Sequence, residues 1–290
     1  MSHSKTDPPI DPLPPLREVI ARHGLQASRS LGQNFILDLN LTRRIARAAG
    51  PLEDYEVYEV GPGPGGLTRA LLMEGAAHVT AVERDSRTLP ALAEIAAIWA
   101  DKLSILADDA LKIDEEKLFY NKPVKIVSNL PYNIGTALFV RWMTGPWAPW
   151  WSQLILMFQR EVAERIIAKP GSKAYGRLSI LSQWRAKARI IFPVPARAFT
   201  PAPKVDSAII EIIPTQPLDP LVEQKTLETI TEHAFGQRRK MLRASLRPLT
   251  ADSISLLKAA DIDPTARAEE IDIAGFCRIA RQWQLMRDGS

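Results

Sequence analysis

The 290-residue chain contains one cysteine, Cys277, and four histidines, His3, His23, His78 and His233. A single thiol excludes an intrachain disulfide and a thiolate metal cluster, and it suits a reducing compartment. The histidines fall at no metal-ligand spacing, so no metal site is expected. No apolar run approaches the roughly 18 residues needed to cross a bilayer, and the start is polar and proline-rich rather than a signal peptide. The expectation is a cytoplasmic protein without membrane contact. Charge of neither sign dominates: 37 Lys and Arg against 33 Asp and Glu leave +4, which alone implies no partner. With 46% hydrophobic residues the chain can bury a sizeable core, which excludes global disorder.

Local pattern divides the chain. Residues 1–15, with Pro8, Pro9, Pro12, Pro14 and Pro15, read as a disordered arm. From there strands and helices alternate: strands near 55–60, 78–83, 103–107, 125–128 and 154–158, helices near 39–49, 67–73, 86–98 and 160–168. Two further β-branched runs, 187–194 and 206–213, are joined by a proline-rich connection with no clear helix. This pattern predicts a doubly wound α/β sheet, mostly parallel with an antiparallel edge, over residues 16–214. After the prolines of 214–220, helical periodicity takes over at 221–235, 238–246, 253–260 and 273–284. Residues 215–290 therefore read as a small all-α domain.

Four places carry chemistry, each at the end of a strand. Gly61, Gly63 and Gly66, between the first strand and its helix, let the backbone turn sharply and a ligand approach the peptide plane. Glu83 ends the second strand, where a carboxylate can accept both hydroxyls of a ribose. After the third strand, Asp109 or its neighbour Asp108 can accept from the exocyclic amine of an adenine, Asp109 being favoured. After the fourth comes Asn129-Leu130-Pro131-Tyr132: an amide acceptor, a stiffened turn and a flat ring, suited to a planar base that carries an amine. A nicotinamide-dependent dehydrogenase shares the glycine pattern, but the tetrad offers no His or Lys for hydride chemistry. A transferase moving a methyl from a sulfonium needs mainly to hold the acceptor nitrogen in line.

With these residues in place, the chain resembles the S-adenosylmethionine-dependent rRNA adenine N6-dimethyltransferases, and within them the bacterial small-subunit branch. The resemblance runs from about Ser30 to Ala280. It rests on Leu31-Gly32-Gln33-Asn34-Phe35, Glu59-Val60-Gly61-Pro62-Gly63, Val82-Glu83-Arg84-Asp85, Asp108-Asp109-Ala110, the complete tetrad, residues 172–179 and 198–208, and Phe235-Gly236-Gln237-Arg238-Arg239-Lys240. Ile36 stands where the family usually has Leu, and Pro64 falls where the family varies; neither bears on activity.

The resemblance implies a Rossmann-like class I methyltransferase fold with a seven-stranded sheet. S-adenosylmethionine would be held by Asn34, the backbone of Ile36, Gly61, Glu83, Asp109 and Asn129, leaving S-adenosylhomocysteine as product. The substrate would be the N6 amines of two adjacent adenosines near the 3′ end of 16S rRNA in the immature small subunit. Asn129 and the carbonyl of Leu130 or Pro131 would accept from the amine, while Tyr132 and Phe199 stack on opposite faces of the flipped base. Arg238, Arg239, Lys240, Arg243 and Arg247 would contact RNA phosphates. A monomer with a late role in subunit assembly is expected. Two alternatives stand beside it: an erythromycin-resistance-type enzyme acting on 23S rRNA, and an assembly factor that acts chiefly by binding.

Overall fold

The computed structural model describes residues 11–28 and 31–288. Its strands are β1 (Phe35–Ile36), β2 (Glu56–Val60), β3 (His78–Val82), β4 (Leu103–Leu106), β5 (Val124–Ser128), β6 (Gln153–Gln159), β7 (Ala186–Val194), β8 (Phe199–Thr200) and β9 (Ser207–Pro214). Seven of them form one mixed sheet in the order β4-β3-β2-β5-β6-β9-β7. β2 runs parallel to β3 and to β5, β3 to β4, and β5 to β6. The two-residue strands β1 and β8 pair separately and antiparallel, with Ile36 opposite Phe199.

Every residue of β2 and β5 is buried, as a parallel sheet covered on both faces requires. The charged side chains within these strands are satisfied locally. Glu56 accepts from Thr80 Oγ1 at 2.6 Å and meets His78 Nδ1 at 2.7 Å. Lys125 Nζ donates to the carbonyls of Ala49 and Pro51 at 2.6 and 2.8 Å. A buried polar group without such partners would cost stability.

Strand order locates the site. The chain passes from β2 to β3 on one side, and later returns to lay β5 on the other side of β2. The connections therefore diverge between β2 and β5, and in open parallel sheets ligands bind outside the carboxyl ends of the strands at such a switch point. Gly61, Glu83, Asp108, Asp109 and Asn129 all follow the ends of these strands.

The chain forms two compact units. One contains the described residues up to Gly135 with Trp150–Phe158 and Ile191–Glu211; the other contains Thr136–Pro149, Gln159–Ile190 and Ile212 onward. The proline break at 214–220 is thus not where this division starts. The reason is apolar surface: Ala168, Tyr175, Ile180 and Trp184 share one buried cluster with Leu227, Ile230, Leu242, Leu256, Phe276 and Ile279 of the helical tail. Helices Gly135–Thr144 and Arg177–Gln183 have no counterpart in the sequence reading.

The helix expected over 238–246 shrinks to Leu242–Ser245. Helix Gln224–Gly236 ends first, and Lys240 N–H turns back to the Gln237 carbonyl at 2.8 Å. The N–H groups of Leu242 and Arg243 then bond the carbonyls of Ala266 and Pro264 at 2.8 and 3.2 Å, so a loop distant in sequence takes the donors a helix would use.

Residues 1–10 of the expected arm, Ser30 at the start of the resemblance, and His3 lie outside the described residues. The remainder of the arm is anchored rather than free. Arg69, 3% exposed, pairs with Asp11 and donates from Nη2 to the carbonyls of Leu13 and Pro14 at 3.2 and 2.9 Å. Among the described residues no helix is long and apolar enough to cross a membrane.

Candidate active site

A cleft opens at the switch point, lined by the loops that follow β2 to β5 and by residues 31–36. Its floor is the glycine loop. Gly61 has φ +69°, and a Cβ built on it would lie 2.9 Å from Cγ of Pro131. The tetrad's proline therefore rests on the glycine loop, and only glycine allows both the conformation and the approach.

Glu83 is 5% exposed and accepts backbone N–H bonds from Gly63 at 2.9 Å and Asp85 at 2.7 Å. Burial pushes its carboxyl upward, and these two N–H groups act against the shift. Asp109 caps the turn Ala110–Lys112, accepting from Leu111 N–H at 3.0 Å, and meets Arg84 Nη1 at 3.3 Å. Asp108 Oδ1 accepts from Asp109 N–H at 2.6 Å, which turns that carboxylate onto the backbone. Both aspartates line the cleft.

The sequence reading gave no role to Glu59, which is 2% exposed and also lines the cleft. Burial raises its carboxyl to about 8, with Thr68 Oγ1 donating at 2.6 Å against the shift and the Glu83 charge adding to it. The available signal was an acidic residue next to the last position of a strand, directly before the glycine loop.

Asn129 is set at the end of β5, where Ser128 Oγ donates to the Val60 carbonyl at 2.7 Å. Its Nδ2 donates to the carbonyl of Asn34 at 3.5 Å, leaving Oδ1 as the acceptor end of the amide. The Pro131 carbonyl accepts from the N–H groups of Ile134 and Gly135 at 3.2 and 2.9 Å, where the next helix begins. The Tyr132 hydroxyl is 2.8 Å from Ser207 Oγ, and burial raises its pKa.

Asn34, Ile36, Gly61, Glu83, Asp109, Asn129, Leu130, Pro131 and Tyr132 thus converge on one cleft. Phe199 does not line it. The ring is 4% exposed and lies in the apolar cluster with Ile36, Ile45 and Ile209. The stacking partner expected on the second face of the base is here a core residue, because β8 pairs with β1 and carries it inward.

The basic cluster lies in the other unit. Arg238 Nε pairs with Glu269 at 2.7 Å, and its Nη2 donates to the Ser172 carbonyl at 3.3 Å. Arg239, Lys240, Arg243 and Arg247 are exposed.

The cleft is acidic. Glu59, Glu83, Asp108 and Asp109 line it against one arginine, Arg84, already beside Asp109. Even with Glu59 held neutral by burial in the ligand-free fold, that balance disfavours the pyrophosphate of a dinucleotide and suits a ligand with positive charge. At the first residue of helix Gly66–Met73, a Cβ on Gly66 would meet Leu16 Cδ2 at 2.9 Å and the Ile36 carbonyl oxygen at 3.1 Å, so both segments lie against the helix start.

Known proteins resemble this chain in sequence and in fold. The model of the ribosomal RNA adenine dimethylase family matches residues 24–284. A ribosomal RNA small subunit methyltransferase A from Azorhizobium caulinodans is 58% identical, covering 97% of this chain and 96% of that protein. Another of that name, from Xanthobacter autotrophicus, is 56% identical over 97% of this chain and 98% of its own length. Among solved structures, a dimethyladenosine transferase from Plasmodium falciparum superposes with TM-score 0.71 at 24% identity, covering 83% of this chain and 94% of that one. The 23S rRNA methyltransferase ErmE gives 0.65 at 26% identity, covering 87% and 100%. The sheet is that of the Rossmann-like class I methyltransferases. With the glycine loop, the acidic cleft and the intact tetrad in one place, and a family model spanning nearly all of it, the chain belongs to the ribosomal RNA adenine dimethylases.

Proposed function

We propose that this protein dimethylates the N6 amines of two adjacent adenosines in a hairpin loop near the 3′ end of 16S rRNA, acting on the immature small subunit in the cytoplasm as a monomer. The observation that carries the reading is the oriented amide of Asn129, whose acceptor end is left for a donor beside an acidic cleft. The high identity to small-subunit methyltransferases over nearly the full chain supports this substrate over the 23S rRNA named for the ErmE neighbour.

S-adenosylmethionine, when bound, supplies a methyl already activated on a sulfonium. Glu83 would hold the ribose, Asp109 the adenine side, and Asn34, Ile36 and Gly61 the remaining walls. The buried carboxyls of Glu59 and Glu83 complement a cationic ligand, whose charge would draw both toward ionisation. The residues fit such a ligand.

Adenine N6 is a weak nucleophile because its lone pair is delocalised into the ring. Two acceptors on the amine hydrogens favour a pyramidal nitrogen with the lone pair aimed at the methyl. Asn129 Oδ1 is one. Of the two carbonyls the sequence offers, that of Pro131 is engaged by the following helix, so we assign the second to Leu130. Both are neutral acceptors that orient the amine, and neither serves as a general base. Tyr132 would stack on the flipped base, a contact worth roughly 1–3 kcal/mol.

We assign catalysis to residues 16–214 and rRNA contact to residues 215–290, through Arg239, Lys240, Arg243 and Arg247, with Arg238 chiefly structural. A role in late subunit assembly is part of this reading. Incubating the protein and S-adenosylmethionine separately with undermethylated small and large subunits, then mapping N6,N6-dimethyladenosine, tests it. Modification of paired adenosines in the small subunit alone is the expected result, and modification confined to the large subunit overturns it.

A further inference from the structure

Gln33 stands between the two ends of the cleft, and both ends of its side chain are used. Oε1 accepts from Ser28 N–H at 2.9 Å, and Nε2 donates to Asp85 Oδ2 at 2.9 Å. Its own N–H donates to the Ser28 carbonyl at 3.1 Å, so residues 28 and 33 hold one another twice. Closing that turn needs only Ser28. The bond to Asp85 reaches a residue after another strand, 52 positions away.

Asp85 is a firm anchor. It is 6% exposed, and Arg87 Nε and Nη2 donate to its two oxygens at 2.8 and 2.6 Å. Arg87 first, and Gln33 after it, draw its carboxyl down to about 2. A donor facing an ionised oxygen makes a stronger bond than one between neutral groups. Through its backbone N–H, Asp85 in turn holds Glu83 Oε1 at 2.7 Å.

The other side of the loop meets the tetrad. The Asn34 carbonyl receives Asn129 Nδ2 at 3.5 Å. Gly32 has φ +66°, and a Cβ built there would lie 2.9 Å from Asn133 Oδ1 and 3.2 Å from the backbone nitrogens of Tyr132 and Asn133. One run of contacts therefore passes from Glu83 through Asp85, Gln33 and Asn34 to Asn129.

We propose that Gln33 is a positioning residue: by clamping residues 31–34 to Asp85, it sets the carboxylate of Glu83 and the amide of Asn129 in register across the cleft. This rests on reading the cleft as the S-adenosylmethionine site with Asn129 at the target amine. The residue touches neither reactant in this role. It acts by fixing the wall both of them share, where small misplacements are costly in rate.

Two variants separate the clamp from the turn. Gln33→Glu keeps an acceptor for Ser28 N–H but sets a second carboxylate against Asp85, while Gln33→Met removes both bonds at similar volume. Losing a hydrogen bond to a charged group corresponds to about a tenfold change in an equilibrium constant. Both variants are expected to weaken S-adenosylhomocysteine binding in calorimetry by about that factor, and to lower kcat on undermethylated small subunits at saturating cofactor. Gln33→Glu behaving as wild type overturns the proposal, whether or not Gln33→Met is impaired. Hydrogen exchange of residues 31–34 in the ligand-free protein tests the clamp independently. Faster exchange in Gln33→Glu supports it even if the wild-type protein fails to bind S-adenosylhomocysteine, a result that would instead sink the reading of the cleft. Unchanged exchange overturns the clamp whatever the cleft binds.

Discussion

Asn129 and Glu59 show how one side chain's surroundings decide its chemistry. The Asn34 carbonyl takes the donor end of the Asn129 amide, so the oxygen is the end available to an incoming amine. Asn129→Ala is expected to slow methyl transfer by about 100-fold or more, the usual effect of removing an oriented polar group at a reacting centre. Cofactor affinity should change little. Single-turnover rates beside calorimetric binding check this, and a loss confined to affinity would remove the assigned role. Glu59 gives a pH prediction. Its carboxyl stays protonated up to about 8 in the fold, against 4.5 ordinarily. Between those values the folded state holds a proton that the unfolded state has released. Its contribution to stability is therefore full below about 4.5 and declines as pH rises toward 8. Glu59→Gln should flatten that decline in urea melts of the ligand-free protein.

The pairing of β1 with β8 joins two segments that look unrelated in sequence. It sets Phe199 opposite Ile36 and turns the ring into the core. Ile36 lines the cleft and shares this cluster, so the ring packs behind the cleft wall. Phe199→Ala should cost about 3–5 kcal/mol of stability, as large-to-small core substitutions do, and should weaken cofactor binding and turnover together. A loss in turnover alone, at unchanged stability and affinity, would restore the ring to the base pocket. The strands themselves were legible, because β2, β3 and β5 are short apolar runs bounded by turn residues. Helix Gly135–Thr144 was not. It begins when the Pro131 carbonyl captures the N–H groups of Ile134 and Gly135, a local event that no periodicity announces.

Across the chain, acidic and basic surfaces belong to different units. The cleft carries four carboxyls beside one arginine, whereas the exposed residues Arg239, Lys240, Arg243 and Arg247 lie in the unit that contains the helical tail. Each of these four that meets a phosphate should add roughly 0.7–0.9 to the slope of log affinity against log salt. Replacing all four with alanine is expected to flatten that slope for small-subunit binding while S-adenosylhomocysteine affinity is retained. A slope equal to wild type would count against an rRNA contact here. Arg238→Ala should act differently and lower the melting temperature, because its guanidinium is tied to Glu269 and to the Ser172 carbonyl.

The glycine loop, Glu83, the aspartate pair and the tetrad could be read directly because each follows immediately on a strand. In a parallel sheet, consecutive strand ends are brought to one edge whatever the details of packing. The periodicities of strand and helix also settle the class of fold before any contact is known. What required the folded molecule was every property set by partners distant in sequence. Phe199 is a core residue because β8 meets β1, and Arg238 is paired because Glu269 reaches it. Gln33 bridges a loop to Asp85 across 52 positions, and Glu59 is forced toward neutrality by burial beside Glu83. Local sequence specifies which groups the chain carries to the cleft. Burial and long-range hydrogen bonds decide their charge, their orientation and whether they can be reached.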